Sequence, residues 1–317
     1  MSARAVRVYK GASLARYGFG EGHPFGPDRH DVFHDGLMEA GMDVEVSYAD
    51  PCDADRDVIA LFHADAYIDR VLQASATGRG WLDSGDTPAF PGIYEAAATV
   101  VGTVRDAVDS IMAGDCGATF IPIAGLHHAR RDTAGGFCVF NDCGVAIEYL
   151  RRQYGLRRVA YVDIDAHHGD GVFYGFEDDP DLLFADIHED GRFLYPGTGH
   201  RWETGSGAAE GTKLNIPMPP GADDEVFRVA WEQIETYLEK GRPEFILLQC
   251  GADAMAGDPI THLGYSEAAY AHAASRLAAI AAEHCEGRLL ATGGGGYNRR
   301  NLAVAWRAVV RSLLDAR

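Results

Sequence analysis

The chain has 317 residues and a formal net charge of −19, with only three lysines (Lys10, Lys213 and Lys240). That length suits one large α/β domain with a well-buried core, or two small domains. The acidic balance argues against direct binding to DNA or RNA, whose phosphates need a basic surface. It fits a solubility adaptation to high salt better than a field that attracts cationic substrates, because net charge does not locate charge.

The longest apolar runs, such as 245–248, are far too short to cross a bilayer, so no membrane partner is expected. Residues 1–20 carry Arg4, Arg7, Lys10 and Arg16 without a continuous apolar core, and no signal peptide is expected. The six cysteines contain no Cys-x-x-Cys pair, which speaks against a cysteine zinc site. Scattered thiols of this kind suit a reducing cytoplasm, where they act as small buried hydrophobes.

In chain order, strands are expected at 5–9, 44–48, 118–121, 158–163, 182–187, 214–217, 245–250 and 288–292. Helices are expected at 29–41, 64–75, 92–112, 142–154, 223–240, 266–284 and 300–314. In the helix at 223–240, Val226, Val229, Ile234, Tyr237 and Leu238 lie near one face and read as its core side. No internal repeat or long linker interrupts the alternation. It predicts an α/β fold with a central, mostly parallel sheet between helices. Such sheets bind ligands at the carboxyl ends of their strands.

Four strand ends carry chemistry. The strand at 158–163 runs into Asp163-Ile-Asp165-Ala-His167-His168-Gly-Asp170, three aspartates and two histidines in eight residues. Asp163, Asp165 and His167 alternate, so an extended chain would project them to one side. A carboxylate and an imidazole there, with further carboxylates behind them, suit a divalent metal. A catalytic zinc takes three protein ligands and keeps a position open. The strand at 245–250 leads to Asp253 as the third candidate, although an Asp after a strand is also a common helix cap. Asp258 reads as a turn residue before Pro259. His127-His128, beyond the strand at 118–121, could be metal ligands, a proton-transfer pair or exposed loop residues. Gly293–Gly296 allow close backbone approach and lead to Tyr297, whose hydroxyl could polarise a carbonyl oxygen. A phosphate cradle is rejected, because the phosphate-loop lysine and the Gly-x-Gly-x-x-Gly spacing are both missing.

Together these residues resemble the histone deacetylase family, which includes acetylpolyamine amidohydrolases and bacterial deacetylase-like proteins. The resemblance runs from His23-Pro24 and Arg29 through Phe62–Tyr67 and Asp86-Thr-Pro88. It continues through Gly125–His128, Gly135–Cys138, Asn141-Asp142 and Tyr195–Gly199, and ends with Gly251–Pro259 and Gly293–Asn298. It implies a single catalytic domain over 1–317, with the arginase/deacetylase fold, that removes acetyl groups from acetylated lysine in proteins or peptides, or from acetylated amines.

Carried over residue by residue, the resemblance implies Asp165, His167 and Asp253 as ligands of Zn²⁺, with Fe²⁺ the alternative ion. His127 and His128 become the catalytic pair, backed by Asp163 and Asp170, and Tyr297 the residue that polarises the acetyl carbonyl. Gly136, Phe137 and Tyr195 become walls of the acyl-lysine tunnel, Asp86 the rim aspartate, and Arg29 the inner end of an acetate channel. A structural K⁺ is implied at Asp186 and the main-chain oxygens of Asp163, Asp165, His167 and Ile187. Asp186 stands where many members have Ser, and Tyr195 where many have Phe. Ile260 occupies a position that is often acidic in polyamine-specific relatives.

Two rivals are weighed. A binuclear manganese ureohydrolase needs bridging carboxylates, and Met255, two residues after Asp253, cannot bridge. A non-catalytic acyl-lysine reader would be expected to lose Tyr297, a histidine or a metal ligand, and all are present.

Overall fold

The computed structural model describes residues 6–316, so the expected strand start at Ala5 and the ends of the expected 1–317 domain lie outside the described residues. Eight strands form one sheet: β1 (Val6–Tyr9), β2 (Ser47–Ala49), β3 (Ala118–Ile121), β4 (Val159–Asp163), β5 (Leu183–Glu189), β6 (Lys213–Met218), β7 (Phe245–Gln249) and β8 (Leu289–Thr292). Their order is β2-β1-β3-β8-β7-β4-β5-β6, and every pairing is parallel. Among the described residues ten α-helices lie between and after them: α1 (Ala12–Ala15), α2 (Arg29–Glu39), α3 (Arg56–Ile59), α4 (Asp65–Thr77), α5 (Ile93–Ala113), α6 (Asp142–Tyr154), α7 (Asp170–Gly175), α8 (Asp224–Gly241), α9 (Glu267–His284) and α10 (Arg299–Asp315).

A parallel sheet is covered on both faces, so its central strands are apolar at every position rather than at alternate ones. β4 and β7 are buried throughout. Tyr161 and Leu247 point to the face covered by α4, α5 and α6, through Val71, Val100 and Ile147. Ala160, Val162 and Leu248 point to the other, covered by α2, α8, α9 and α10 through Phe33, Trp231, Leu277 and Val309. The register aligns the strand ends: Asp163 lies beside Asp186 and Gln249, Gln249 beside Thr292, and Thr292 beside Ile121. The loops that follow these strands therefore leave from one edge of the sheet.

Two expectations need correction. The second strand forms at Ser47–Ala49 rather than 44–48, and Val44 is 83% exposed. The left-handed turn at Gly41 and the turn after it use up the residues before Ser47, which then pairs with Arg7 at the sheet edge. On α8, Val226 and Val229 face solvent, and the buried stripe is Phe227, Ala230, Trp231, Ile234 and Leu238. The aromatic pair carries the larger apolar area and decides which face turns inward. Among the described residues, no helix is long and apolar enough to cross a membrane.

Candidate active site

The histidine pair follows β3 on a loop tied down from below. Asp142, the first residue of α6, accepts the amides of Gly125 (2.9 Å) and Leu126 (2.8 Å) through its two carboxylate oxygens. Each histidine is then fixed by its own carboxylate. His127 Nδ1 lies 2.8 Å from Asp163 Oδ2, and His128 Nδ1 lies 2.8 Å from Asp170 Oδ1. Both carboxylates are held in turn: Asp163 by the Tyr161 hydroxyl (2.5 Å), Asp170 by the Arg130 guanidinium (3.0 Å). An imidazole that donates from Nδ1 presents its Nε2 to the site. The two Nε2 atoms are 3.1 Å apart, a hydrogen bond when one of them carries a proton. Burial and the neighbouring His127 push His128 down to about 4, which leaves it neutral at physiological pH and ready to accept a proton.

Beside the pair, Asp165, His167 and Asp253 bring one ligand atom each within 4.8 Å of one another, and all three residues are buried. His167 Nδ1 faces Asp165 Oδ1 at 3.1 Å and Asp253 Oδ2 at 3.0 Å. Burial opposes a charge on His167, yet its hydrogen bonds to the two carboxylates carry it up to about 10. Burial and the Asp165 carboxylate push Asp253 up to about 7. Two carboxylates around one imidazole in a buried place call for a cation. Two oxygens and one nitrogen are the donor set of a divalent metal that keeps positions open for water and substrate, and the residues fit that group. The glycines make room for them. A Cβ on Gly251 would stand 1.9 Å from Asp165 Oδ2, and one on Gly295 would stand 2.0 Å from Asp253 Oδ2.

The segment 164–169 is a bent loop rather than an extended continuation of β4. Asp163 Oδ1 accepts the Asp165 amide and Asp165 Oδ1 the His167 amide, both at 3.0 Å. These turns separate the residues that strict alternation would align. Asp165 and His167 join Asp253, whereas Asp163 turns to His127.

Tyr297 enters from the glycine loop. Its amide donates to Asp258 Oδ2 (2.8 Å), and Asn298 caps α10 just behind it. Burial, with Asp253 and Asp165 nearby, holds the Tyr297 hydroxyl well above its ordinary value, so it stays an O–H donor. Arg29 is fully buried under the same loop. It donates to the carbonyls of Gly296 (3.0 Å) and Gly294, and its guanidinium lies 3.9 Å over the Phe25 ring. Burial lowers it to about 10, still charged at neutral pH, and its Nη1 has no protein partner among the described residues. A narrow cavity is lined by His127, His128, His167, Tyr297, Gly294 and Phe25.

The residues expected to wall a tunnel converge on the same place. A Cβ on Gly136 would stand 2.3 Å from the His128 ring. Phe137 packs edge-on against Tyr297, ring centres 5.9 Å apart, and Tyr195 edge-on against His128 at 5.1 Å. Ile260 is partly exposed, and its amide is bonded to Asp258 Oδ1. Asp86 lies at the rim, where its carbonyl faces His23 Nε2 at 3.1 Å. The expected potassium position lies around Asp186, beside the end of β4. Both Asp186 oxygens are already engaged, by His188 Nδ1 (2.6 Å) and the Gly169 amide (2.8 Å). The main-chain oxygens of Asp165 and His167 accept no backbone N–H among the described residues.

Sequence reasoning passed over several residues that build this site. Gln249 donates to Asp165 Oδ2 (2.8 Å) and to the Gly125 carbonyl (3.2 Å), which links Asp165 to the histidine loop. A lone polar residue ending the apolar run Phe245–Gln249 was its visible signal. Asp258 is more than a turn residue, because it holds the Tyr297 amide. Asp142, Tyr161 and Arg130 act through contacts that no local pattern marks.

The histidine-loop, metal-loop and glycine-loop motifs lie together as the resemblance implied, and comparison with known proteins agrees. A family model described as the histone deacetylase domain matches residues 23–313. The acetoin utilization protein AcuC of Bacillus subtilis is 38% identical over 319 residues, which covers 97% of this chain and 80% of the relative. The histone deacetylase RPD3 of Saccharomyces cerevisiae is 31% identical over 314 residues, covering 96% and 70%. Among solved structures, the HD domain of HDA15 matches with a TM-score of 0.90 at 27% identity, over 98% of this chain and 88% of that one. By sequence along almost its whole length and by fold, the chain belongs to the histone deacetylase family and is a hydrolytic deacetylase.

Proposed function

We propose that the chain is a zinc-dependent deacetylase that hydrolyses the Nε-acetyl amide of lysine in a protein or peptide and releases acetate. The observation that carries this reading is the meeting of two carboxylate-backed histidines with a buried Asp-His-Asp set under an aromatic-walled entrance. Asp165, His167 and Asp253 would hold the zinc, which lowers the pKa of a bound water and polarises the acetyl oxygen as a Lewis acid. A K⁺ beside β4, on main-chain oxygens, belongs to the same reading. So does a reducing cytoplasm, which suits six scattered cysteines with no Cys-x-x-Cys pair.

In this reading the chain's residues divide the work. His128, neutral and oriented by Asp170, takes the proton of the attacking water at Nε2. His127 with Asp163 stabilises the charge that this transfer creates next to it. Tyr297 donates its O–H to the acetyl oxygen as charge builds there. The proton held by the histidine pair then goes to the leaving amine, and acetate departs toward Arg29. Phe137 and Tyr195 line the aliphatic stem of the lysine and exclude water.

The test is acetate release by the Zn²⁺-loaded enzyme from an acetyl-lysine peptide, a trifluoroacetyl-lysine peptide and N-acetylputrescine. The peptides should have the higher kcat/KM, because Ile260 supplies no charge to receive a second ammonium group. Preference for N-acetylputrescine would replace lysine by polyamine as the substrate. Peptide binding without acetate release would make the chain a reader.

A further inference from the structure

We infer that Asp83 is a positioning residue of the tunnel mouth: it fixes the rim residue Asp86 and, through Thr87, the Phe137 wall, and so sets the grip on the peptide backbone around an acetylated lysine. The inference rests on the acetyl-lysine peptide reading above. The loop at 83–87 folds around one carboxylate. Asp83 Oδ1 accepts the amides of Gly85 (3.0 Å), Asp86 (3.1 Å) and Thr87 (3.0 Å), and its Oδ2 accepts the Thr87 hydroxyl (2.5 Å). Side chains that gather successive amides in this way impose a local turn that the backbone would not otherwise keep.

Two consequences follow for the mouth. Asp86 is pinned at both ends of its own residue, its amide by Asp83 and its carbonyl by His23 Nε2. Its carboxylate is thereby presented at one place, where it can accept the amides of an extended peptide. Thr87 Oγ1 also accepts the Phe137 amide (3.1 Å). Phe137 has φ +69°, a backbone region that side chains with a Cβ disfavour. It is held there by this bond and by the Tyr17 hydroxyl on its carbonyl (2.7 Å). One of the two tethers on the tunnel wall therefore ends on Asp83.

Charge adds a second signature. Burial and the Asp83 carboxylate push Asp86 up to about 6. The groups that face Asp86 are Asp83, the Thr87 hydroxyl, the Phe137 amide, His23 and the Tyr195 phenol. Burial lowers His23 and raises Tyr195, so neither carries charge near pH 7. An ionised Asp86 accepts peptide amides with both oxygens, whereas a protonated one gives up an acceptor. Peptide KM should therefore rise as pH falls through about 6.

The test uses the full chain loaded with Zn²⁺, an acetyl-lysine peptide, and N-acetylbutylamine, which fills the tunnel but offers Asp86 no backbone amide. Asp83→Ala should raise peptide KM on the order of tenfold, the worth of one hydrogen bond to a charged group, with kcat largely kept. The loss in kcat/KM on N-acetylbutylamine should be smaller. Asp83→Asn keeps the Oδ1 acceptor for the three loop amides and places an N–H donor instead of Oδ2 opposite the Thr87 hydroxyl, but it removes the charge beside Asp86. Its acid limb in peptide KM should move to lower pH. Equal losses on both substrates, a fall in kcat at constant KM, or an unmoved acid limb in Asp83→Asn would each overturn the assignment while leaving the peptide reading intact. A wild-type enzyme inactive on the peptide would overturn that reading, and this inference with it.

Discussion

Asp258→Ala tests whether Tyr297 works because its loop is held, and not merely because it is present. Asp258 is 7% exposed, and its Oδ2 receives the amides of Tyr297 at 2.8 Å and Asn298 at 3.3 Å. The substitution leaves the tyrosine, the metal ligands and the histidines untouched. It removes one good charge-assisted bond and two weaker ones, one of them to the Ile260 amide. One hydrogen bond to a charged group is worth about 2 kcal/mol. In a chain of 317 residues that lowers the melting temperature by about 3 °C, which leaves the enzyme folded for assay. The catalytic cost has its own ceiling, the loss of one oxyanion donor, about 10²–10³ in kcat. The assay is kcat on an acetyl-lysine peptide at measured, stoichiometric metal content, for Asp258→Ala, Tyr297→Phe and the double variant. If Asp258 acts through Tyr297, the double variant should be no slower than Tyr297→Phe alone. Multiplying losses, or wild-type kcat in Asp258→Ala, would refute the coupling and leave Asp258 as a turn residue.

Three further outcomes follow from the same geometry. Gly295→Ala drives a Cβ to 2.0 Å from Asp253 Oδ2, so chelator competition should show metal affinity lower by at least about 10–100-fold; unchanged affinity would mean that the loop moves freely away from the ligand. Asp253→Ala should lose metal and activity together, and the melting-point drop that a chelator causes in the wild type should vanish in the variant; full metal content would exclude Asp253 as a ligand. Because burial and His127 hold His128 down to about 4, the base is neutral from pH 7 downward, and the kcat of the metal-replete enzyme should fall only as pH drops through about 4. A single limb near the ordinary imidazole value of about 6.5, lost in a His128 variant, would show that burial does not set this pKa.

The sheet was legible because the strands that matter are buried on both faces. Runs such as Phe245–Gln249 and Val159–Asp163 have no polar alternation to confuse with a surface strand. The elements misread lie where burial is partial. Val44 lies in the exposed turn before the edge strand β2, and α8 offers apolar residues on two sides, so counting valines picked a face that Phe227 and Trp231 overrule. The short helices α1, α3 and α7 span four to six residues, too few for a 3.6-residue period to show.

The site divides along a different line. Residues whose side chains suit the chemistry themselves, Asp165, His167, Asp253, His127, His128 and Tyr297, were visible because metals, protons and oxyanions demand particular atom types at strand ends. Of the residues given no role in the site from the sequence, Asp142 and Asp258 spend their oxygens on backbone amides of other loops, Gly125 and Leu126, and Tyr297, whereas Gln249 and Asp83 hold amides of their own segments, Gly251, and Gly85 to Thr87. An aspartate that caps a loop has the same composition signal as one in a solvated turn, and only the fold says which amides point at it. Beyond the strand tips the β-ladders end and glycines such as Gly293–Gly296 add freedom, so side-chain oxygens supplement the few backbone bonds there, such as that from the Ala252 amide to the Gly295 carbonyl. A catalytic edge built from glycine-rich loops therefore requires buried carboxylates beyond those that do chemistry. Here Asp142 serves the histidine loop, Asp258 the tyrosine loop and Asp83 the rim loop.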